Sequence, residues 1–211
     1  LSGRKEPRSR DLFDVIAQRS SVRSFRTDPV DRELVVKAIE LAGWAPSPHG
    51  TQPWRFVLLE READRRALAE RLGDSWRQQL RLDDLEPEVI EHRVARSKER
   101  LERAPILAIL CLYLEDAHPY PDRARQEAET LMAIQSLGAA AQNFLLALHV
   151  QGLDAGWMCA PLFCPDLIQE HLGLDDALQP HAMFPIGLID RPPKRRPRRP
   201  VDDLIIAVAE R

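Results

Sequence analysis

The sequence is poor in cysteine: Cys111, Cys159 and Cys164 are the only three in 211 residues. An odd number, all in apolar runs, excludes a disulfide framework and predicts buried thiols in a reducing compartment. The spacing of Cys159 and Cys164 in C-A-P-L-F-C is not that of zinc ligands. The six histidines are dispersed, with no H-E-x-x-H, so no metal site is expected. The nine glycines form neither a G-x-G-x-x-G nor a P-loop, which removes the usual dinucleotide and nucleoside triphosphate fingerprints. No G-x-S-x-G elbow marks a serine nucleophile. No run of about 18 apolar residues exists, so no membrane span is expected. Residues 1–10 are polar and basic and lack the apolar stretch of a secretory signal, leaving the cytoplasm as the default location. A net charge of −3 supplies no general attraction for nucleic acid or anionic lipid.

What is present suits one globular domain, with 44 % apolar and 30 % charged residues. Residues 1–10 read as a loose arm. Asp11 can cap a helix carrying Leu12, Phe13, Val15 and Ile16 that ends near Arg19. After the Asp28-Pro29 turn signal, Asp31 opens a second helix, which Pro46 and Pro48 stop. Trp54 to Leu59 is short and β-prone. The charged stretch from Glu62 to Arg103 is helical, with Pro87 starting its second half. Ile106 to Leu114 is continuously apolar, as in a strand buried on both faces. Arg123 to Val150 is the longest helical pattern, apolar on nearly every side from Leu137 onward, with Gly152 as a C-cap. Asp154 to Ala160 is predicted as a strand, Pro165 to Leu172 as a short helix, and Ala182 to Ile189 as another strand. Residues 191–200 are extended, and Val201 to Val208 is short and apolar. The order predicts an α+β domain with a sheet sandwiched by helices.

Three segments bear on chemistry. In Arg19-Ser20-Ser21-Val22-Arg23-Ser24-Phe25, two arginines flank two hydroxyls just past a helix. Guanidinium groups bind phosphate bidentately, and serine hydroxyls add donors; alone, the segment could equally be a basic helix end favoured by the helix dipole. The loop Trp44-Ala45-Pro46-Ser47-Pro48-His49-Gly50-Thr51-Gln52-Pro53-Trp54 exposes backbone donors and acceptors between a helix and a strand, or serves as a rigid connector. In the third, Arg191 to Pro200 (RPPKRRPRRP), six of ten residues are basic. It reads as a nucleic-acid arm, a solvated tail, or an arm reaching a phosphate on a partner subunit. The mildly acidic remainder of the chain argues against nucleic acid.

In this order, R-S-S-V-R-S-F, A-P-S-P-H-G-T-Q-P-W-R-F and R-R-P-V-D-D-L resemble the nitroreductase family, from about Phe13 to Leu204. The resemblance implies an FMN-dependent oxidoreductase with a nitroreductase-like α+β fold. Its central mixed or antiparallel sheet is sandwiched by helices, and it forms a homodimer whose C-terminal arm (191–211) reaches the partner. Arg19, Ser20, Ser21 and Arg23 would hold the FMN phosphate and ribityl chain, with Arg196 and Arg198 completing the phosphate site. Ser47 and Pro48 would line the isoalloxazine, His49 would face the substrate, and Ala160, Pro161 and Leu162 would meet the ring near N5. Hydride would pass from flavin N5 to a stacked substrate, with NAD(P)H or a reduced deazaflavin as electron donor and no side chain singled out as catalytic. Residues 62–103 would form a variable lid over the flavin.

Within the family, Asp74-Ser75-Trp76-Arg77, Ala117 to Arg123, Gly138 to Asn143 and Leu162 to Asp166 are similar to the C-terminal reductase domain of the coenzyme F-420 biosynthesis protein FbiB. That similarity implies reduction of the dehydro precursor of this deazaflavin coenzyme, an anionic small molecule. The basic residues His92, Arg93, Arg96, Lys98, Arg100 and Arg103 would suit such a substrate, although interleaved glutamates also fit an ordinary solvated helix. A general NAD(P)H-dependent nitro or quinone reductase and a flavin-binding protein without turnover are the alternatives.

Overall fold

The computed structural model describes residues 11–206. The arm expected over residues 1–10 and the last residues, 207–211, lie outside them. Six α-helices and four strands follow the order read from the sequence.

Helix α1 (Leu12–Gln18) starts where Asp11 accepts hydrogen bonds from the Phe13 and Asp14 amides, and α2 (Arg32–Ala42) starts where Asp31 accepts from Glu33. These are the orphan donors that an N-cap carboxylate satisfies. Strand β1 (Trp54–Leu59) precedes α3 (Glu62–Leu80) and α4 (Pro87–Arg103), the latter with Pro87 in its first turn. Strand β2 (Ile106–Tyr113), helix α5 (Arg123–Val150), strand β3 (Asp154–Ala155), helix α6 (Pro165–Leu172) and strand β4 (Leu178–Gly187) complete the fold. Sheet order is β1-β2-β4-β3 and every pairing is antiparallel.

Strand β2 is buried from Ile106 to Leu112, and its side chains alternate between two cores. Ile106, Ala108, Leu110 and Leu112 join Phe184, α2 and α5 on one face; Leu107, Ile109 and Cys111 join Met183, α3 and Ile168 of α6 on the other. Helix α5 is long and apolar enough by composition to cross a membrane. Its second half is instead a core element, with Ala140, Ala141, Phe144 and Leu148 packed among Ala38, Ala42 and the sheet.

Three expectations need correction. The strand expected over Asp154–Ala160 stops at Ala155, leaving a single Met158–Met183 bridge before a 3-10 turn at Ala160–Phe163. Here Pro161 enters the turn, and Leu162 and Cys164 donate to Cys159 and Pro161 carbonyls instead of to a neighbouring strand. Strand β4 begins at Leu178, four residues before the expected start at Ala182. Pro180 masks this beginning, because it cannot donate to a ladder; a register shift between Leu110 and Cys111 accommodates it. The thiols are not all buried: Cys159 is exposed and Cys164 half-buried.

The charged region 62–103 is partly core. Leu68, Ala69 and Leu72 of α3 and Leu101 of α4 pack on the sheet, while Leu80, Ile90, Val94 and Trp76 form a separate small cluster at the far end of the pair.

The segment after α1 is held against the β3 edge. The Val22 amide donates to the Ala155 carbonyl (3.1 Å), Arg26 to Leu188 (2.9 Å), and Phe25 bridges Ile189. Close approach needs Gly156, where an added Cβ would stand 2.6 Å from the Val22 carbonyl oxygen. Gly156→Ala is expected to lower stability by about 1–3 kcal/mol, as overpacking does, in urea unfolding followed by circular dichroism. A change below about 0.5 kcal/mol, typical of neutral surface sites, would show that this approach is not needed.

Candidate functional site

The C-terminal end of α1 leaves carbonyls without helical partners. Arg195, from the extended arm after β4, donates to two of them: Ala17 (2.8 Å) and Gln18. A guanidinium there also meets the negative end of the helix dipole. The arm thereby returns Arg195 and Arg198 to Arg19. Burial lowers the Arg19 pKa, and the neighbouring charges of Arg198 and Arg195 lower it further. Asp154 opposes this shift, but its carboxylate also meets His149 Nδ1 at 3.1 Å in the core. The Arg19 Nε is buried without a hydrogen-bond partner. Three like charges gathered around an unmet donor form an anion site by construction.

The sequence reading passed over Arg195. Arg196, expected to complete the phosphate site, is exposed, and no interaction ties it to Arg19. Register along the arm is set by the α1 carbonyls, which a proline- and arginine-rich run does not reveal by itself. Ser20 is half-buried and Ser21 exposed. Ser24 donates to Asp190 (2.9 Å), and this bond, with the charges of Arg191 and Arg103, holds the Asp190 carboxyl below its usual range.

Arg23 belongs to a second cation group. It lies near Arg100 of α4, and together with Arg96 it lowers the Arg100 pKa, although burial is the larger cause. Arg100 lines a cavity of about 500 Å³ between α3, α4, β4 and the Ala160–Phe163 turn. Trp76, Leu101, Met158, Ala160 and Phe163 contribute to its walls. Of the three residues expected near N5, Ala160 faces this cavity, Pro161 is buried and Leu162 is exposed. Trp157 is partly exposed and packs edge-on against Phe184.

The Ser47–Gln52 loop is anchored elsewhere. His49, Gly50 and Gln52 adopt left-handed conformations (φ 53°, 71° and 48°), which only glycine takes without cost. Hydrogen bonds fix the turn: Gly50 donates to the Ser47 carbonyl (3.2 Å), Thr51 to Pro48 (3.1 Å), and the Gln52 amide to the Ser47 hydroxyl (3.1 Å). His49 is exposed, with Nε2 4.0 Å from Glu129 Oε2, and Glu129 on α5 is only 1 % exposed. Its other oxygen accepts from the His118 amide at 3.4 Å. Among the described residues, no hydrogen bond or ion pair joins Ser47–Gln52 to Arg19–Arg23.

Comparison with known proteins now decides the family. The model of the nitroreductase family matches residues 16–188. The chain belongs to the nitroreductase family. It is therefore an oxidoreductase by class. It is 34 % identical over 157 residues to 5,6-dimethylbenzimidazole synthase of Rhodospirillum rubrum, spanning 72 % of this chain and 71 % of that protein. Its fold is similar to that of a BluB-like flavoprotein from Clostridium difficile 630 (TM-score 0.76, 23 % identity, 95 % of this chain and 100 % of that one). It is also similar to the FMN-dependent nitroreductase NfnB from Mycobacterium smegmatis, solved in complex with NADPH (TM-score 0.71, 22 % identity, 93 % and 97 %). The nitroreductase-like α+β fold read from the motifs stands, with an antiparallel rather than a mixed sheet.

Thiol chemistry checks the geometry of this region. Burial pushes the Cys111 pKa up to about 11 and raises that of Cys164, and Cys164 also donates to the Ala160 carbonyl (3.5 Å). At pH 8, a chromogenic disulfide reagent should label Cys159 first, Cys164 more slowly and Cys111 only after unfolding. Labelling of Cys111 in the native protein at the rate of Cys159 would contradict the placement.

Proposed function

We propose that this protein is an FMN-dependent oxidoreductase that passes reducing equivalents to a small molecule stacked on its flavin. The observation that carries the reading is the convergence of Arg19, Arg195 and Arg198, with Arg19 Nε unpartnered. An FMN phosphate carries nearly two negative charges at neutral pH and fits three guanidinium groups better than a single carboxylate would. Ser20 and Ser21 stand on the same segment, with Arg198 across from Arg19, to receive the phosphate and ribityl chain. Bound there, the flavin would supply hydride at N5, with NAD(P)H or a reduced deazaflavin as donor; NfnB was solved with NADPH.

The chain's own residues do the holding and shaping. Arg19, Arg195 and Arg198 neutralise the phosphate. Arg23 and Arg100 place positive charge beside the cavity, where it favours an electron-rich cofactor or an anionic substrate. Ala160, Pro161 and Leu162 form a rigid edge, and Trp76 and Phe163 keep water from the cavity.

We also propose a homodimer. The first motif is fixed to the β3 edge and the Ser47–Gln52 loop to α5, so a second copy is needed to set Ser47, Pro48 and His49 against the flavin. Phe13 (82 % exposed) and Trp44 (83 % exposed) are among the apolar side chains left for a partner to cover, together with Leu12, Ile16, Leu131 and Ile134. Residues 62–103 serve as the lid.

The specific reaction we put forward is reduction of the dehydro precursor of coenzyme F-420, supported by the motif resemblance and by the cationic cavity. The 34 % identity to 5,6-dimethylbenzimidazole synthase favours a second reading, formation of a benzimidazole. Purified protein should be yellow and release FMN on heating. Arg19→Ala and Arg198→Ala should each lose at least about tenfold in FMN affinity, equivalent to about 1.4 kcal/mol, whereas Arg196→Ala should change it less than about twofold. Full FMN retention in both of the first two variants would remove the phosphate site. Chromatography of reactions with the deazaflavin precursor, a nitroarene, or oxygen and reduced flavin separates the precursor reductase, general reductase and benzimidazole readings.

A further inference from the structure

We propose that Arg100 determines substrate charge: it receives the carboxylate of a planar, otherwise apolar substrate in the cavity between α3, α4 and the Ala160–Phe163 turn. This rests on the flavin reductase reading and names the substrate class for it.

The basic residues of α4 are not equivalent. Lys98 is paired with Glu70 (2.5 Å) and Arg103 donates to the Phe25 carbonyl (3.4 Å). His92, Arg93 and Arg96 are exposed. Arg100 alone of the six lines the cavity. Its Nε is buried without a partner, and the nearest acceptor to its Nη1 is the Met158 thioether at 3.9 Å. A thioether is a weak acceptor, so the guanidinium has lost water and gained almost nothing in return. Arg23 and Arg96 add like charge from two sides. Asp83, the carboxylate that lines the cavity, is exposed and forms no ion pair with Arg100.

These features select the ligand. One buried guanidinium offers two parallel donors, the match for one carboxylate. Asp83 on the lining disfavours a phosphate dianion there. Trp76, Leu101, Met158 and Phe163 offer apolar area and an aromatic face to a flat body. A volume of about 500 Å³ holds a bicyclic aromatic acid. The second groove of similar volume, between α2 and β1, has no such donor: Arg32 is tied to Glu60 (2.9 Å) and Arg55 to the Gln52 and Trp54 carbonyls.

The test is calorimetric titration of the purified holoprotein with 2-naphthoate and with neutral 2-naphthamide. Wild-type protein should bind the acid at least about tenfold more tightly than the amide, or about 1.4 kcal/mol. Arg100→Gln should bring the two within about twofold by weakening the acid alone, and Arg100→Lys should recover part of the preference. If Arg100→Gln fails to fold, Ser97→Asp provides the check with Arg100 intact. It sets a competing carboxylate one turn earlier on the same helix, within the cavity lining, and should also weaken the acid alone. In turnover, 4-nitrobenzoate should show a raised KM and nearly unchanged kcat in Arg100→Gln. No acid preference in wild type, or one that survives Arg100→Gln, overturns the proposal. An FMN-loaded protein blind to the carboxylate removes this inference alone; a flavin-free protein with an Arg100-dependent preference removes the flavin reading alone.

Discussion

Repulsion among Arg19, Arg195 and Arg198 is the constraint that organises the molecule. Like charges do not gather unless other contacts hold them. Here the holding is done by backbone: Arg195 on the last carbonyls of α1, Val22 on Ala155, and Arg26 on Leu188. Buried Asp154, already engaged with His149, gives Arg19 one long-range counter-charge. The cluster is thus strained electrostatically and supported mechanically, and a bound dianion relieves it.

The antiparallel sheet explains why two cation groups exist. Strand β2 has a core on each face, and the segment from Arg19 to Arg26 crosses the sheet edge between them. Arg19 ends beside the C-terminal arm and Arg23 beside α4. One short stretch of extended chain therefore serves both a tail-binding site and a cavity-lining site. The cavity depends on α3 and α4 being anchored at their sheet ends while their far ends pack mainly on each other.

Much of this was legible in the residues. Asp11, Asp31 and Pro87 marked helix starts because capping and proline rules act locally. The apolar run after Pro105 could only be a central strand. Elements that depend on distant partners were less legible. Pro180 hid the start of β4, since only pairing with Cys111 shows how the ladder absorbs it. Gly156 turned an expected strand away because Val22 arrives from 130 residues earlier in the chain. The exposure of Cys159 follows from the same turn. Arg195 and Arg196 are chemically identical neighbours, and docking on α1 alone distinguishes them. Glu129 gave no signal, since a glutamate in the first turns of a long helix is ordinary until His49 and His118 are seen above it.

The arm's docking has a consequence for biosynthesis. Arg195 and Arg198 are made roughly 180 residues after Arg19, and a ribosome conceals the most recently made segment. A growing chain can fold its sheet and helices long before its tail is free to reach α1. Anion capture therefore comes last in maturation, and a prematurely terminated chain that lacks the tail would leave Arg19 without its two companions.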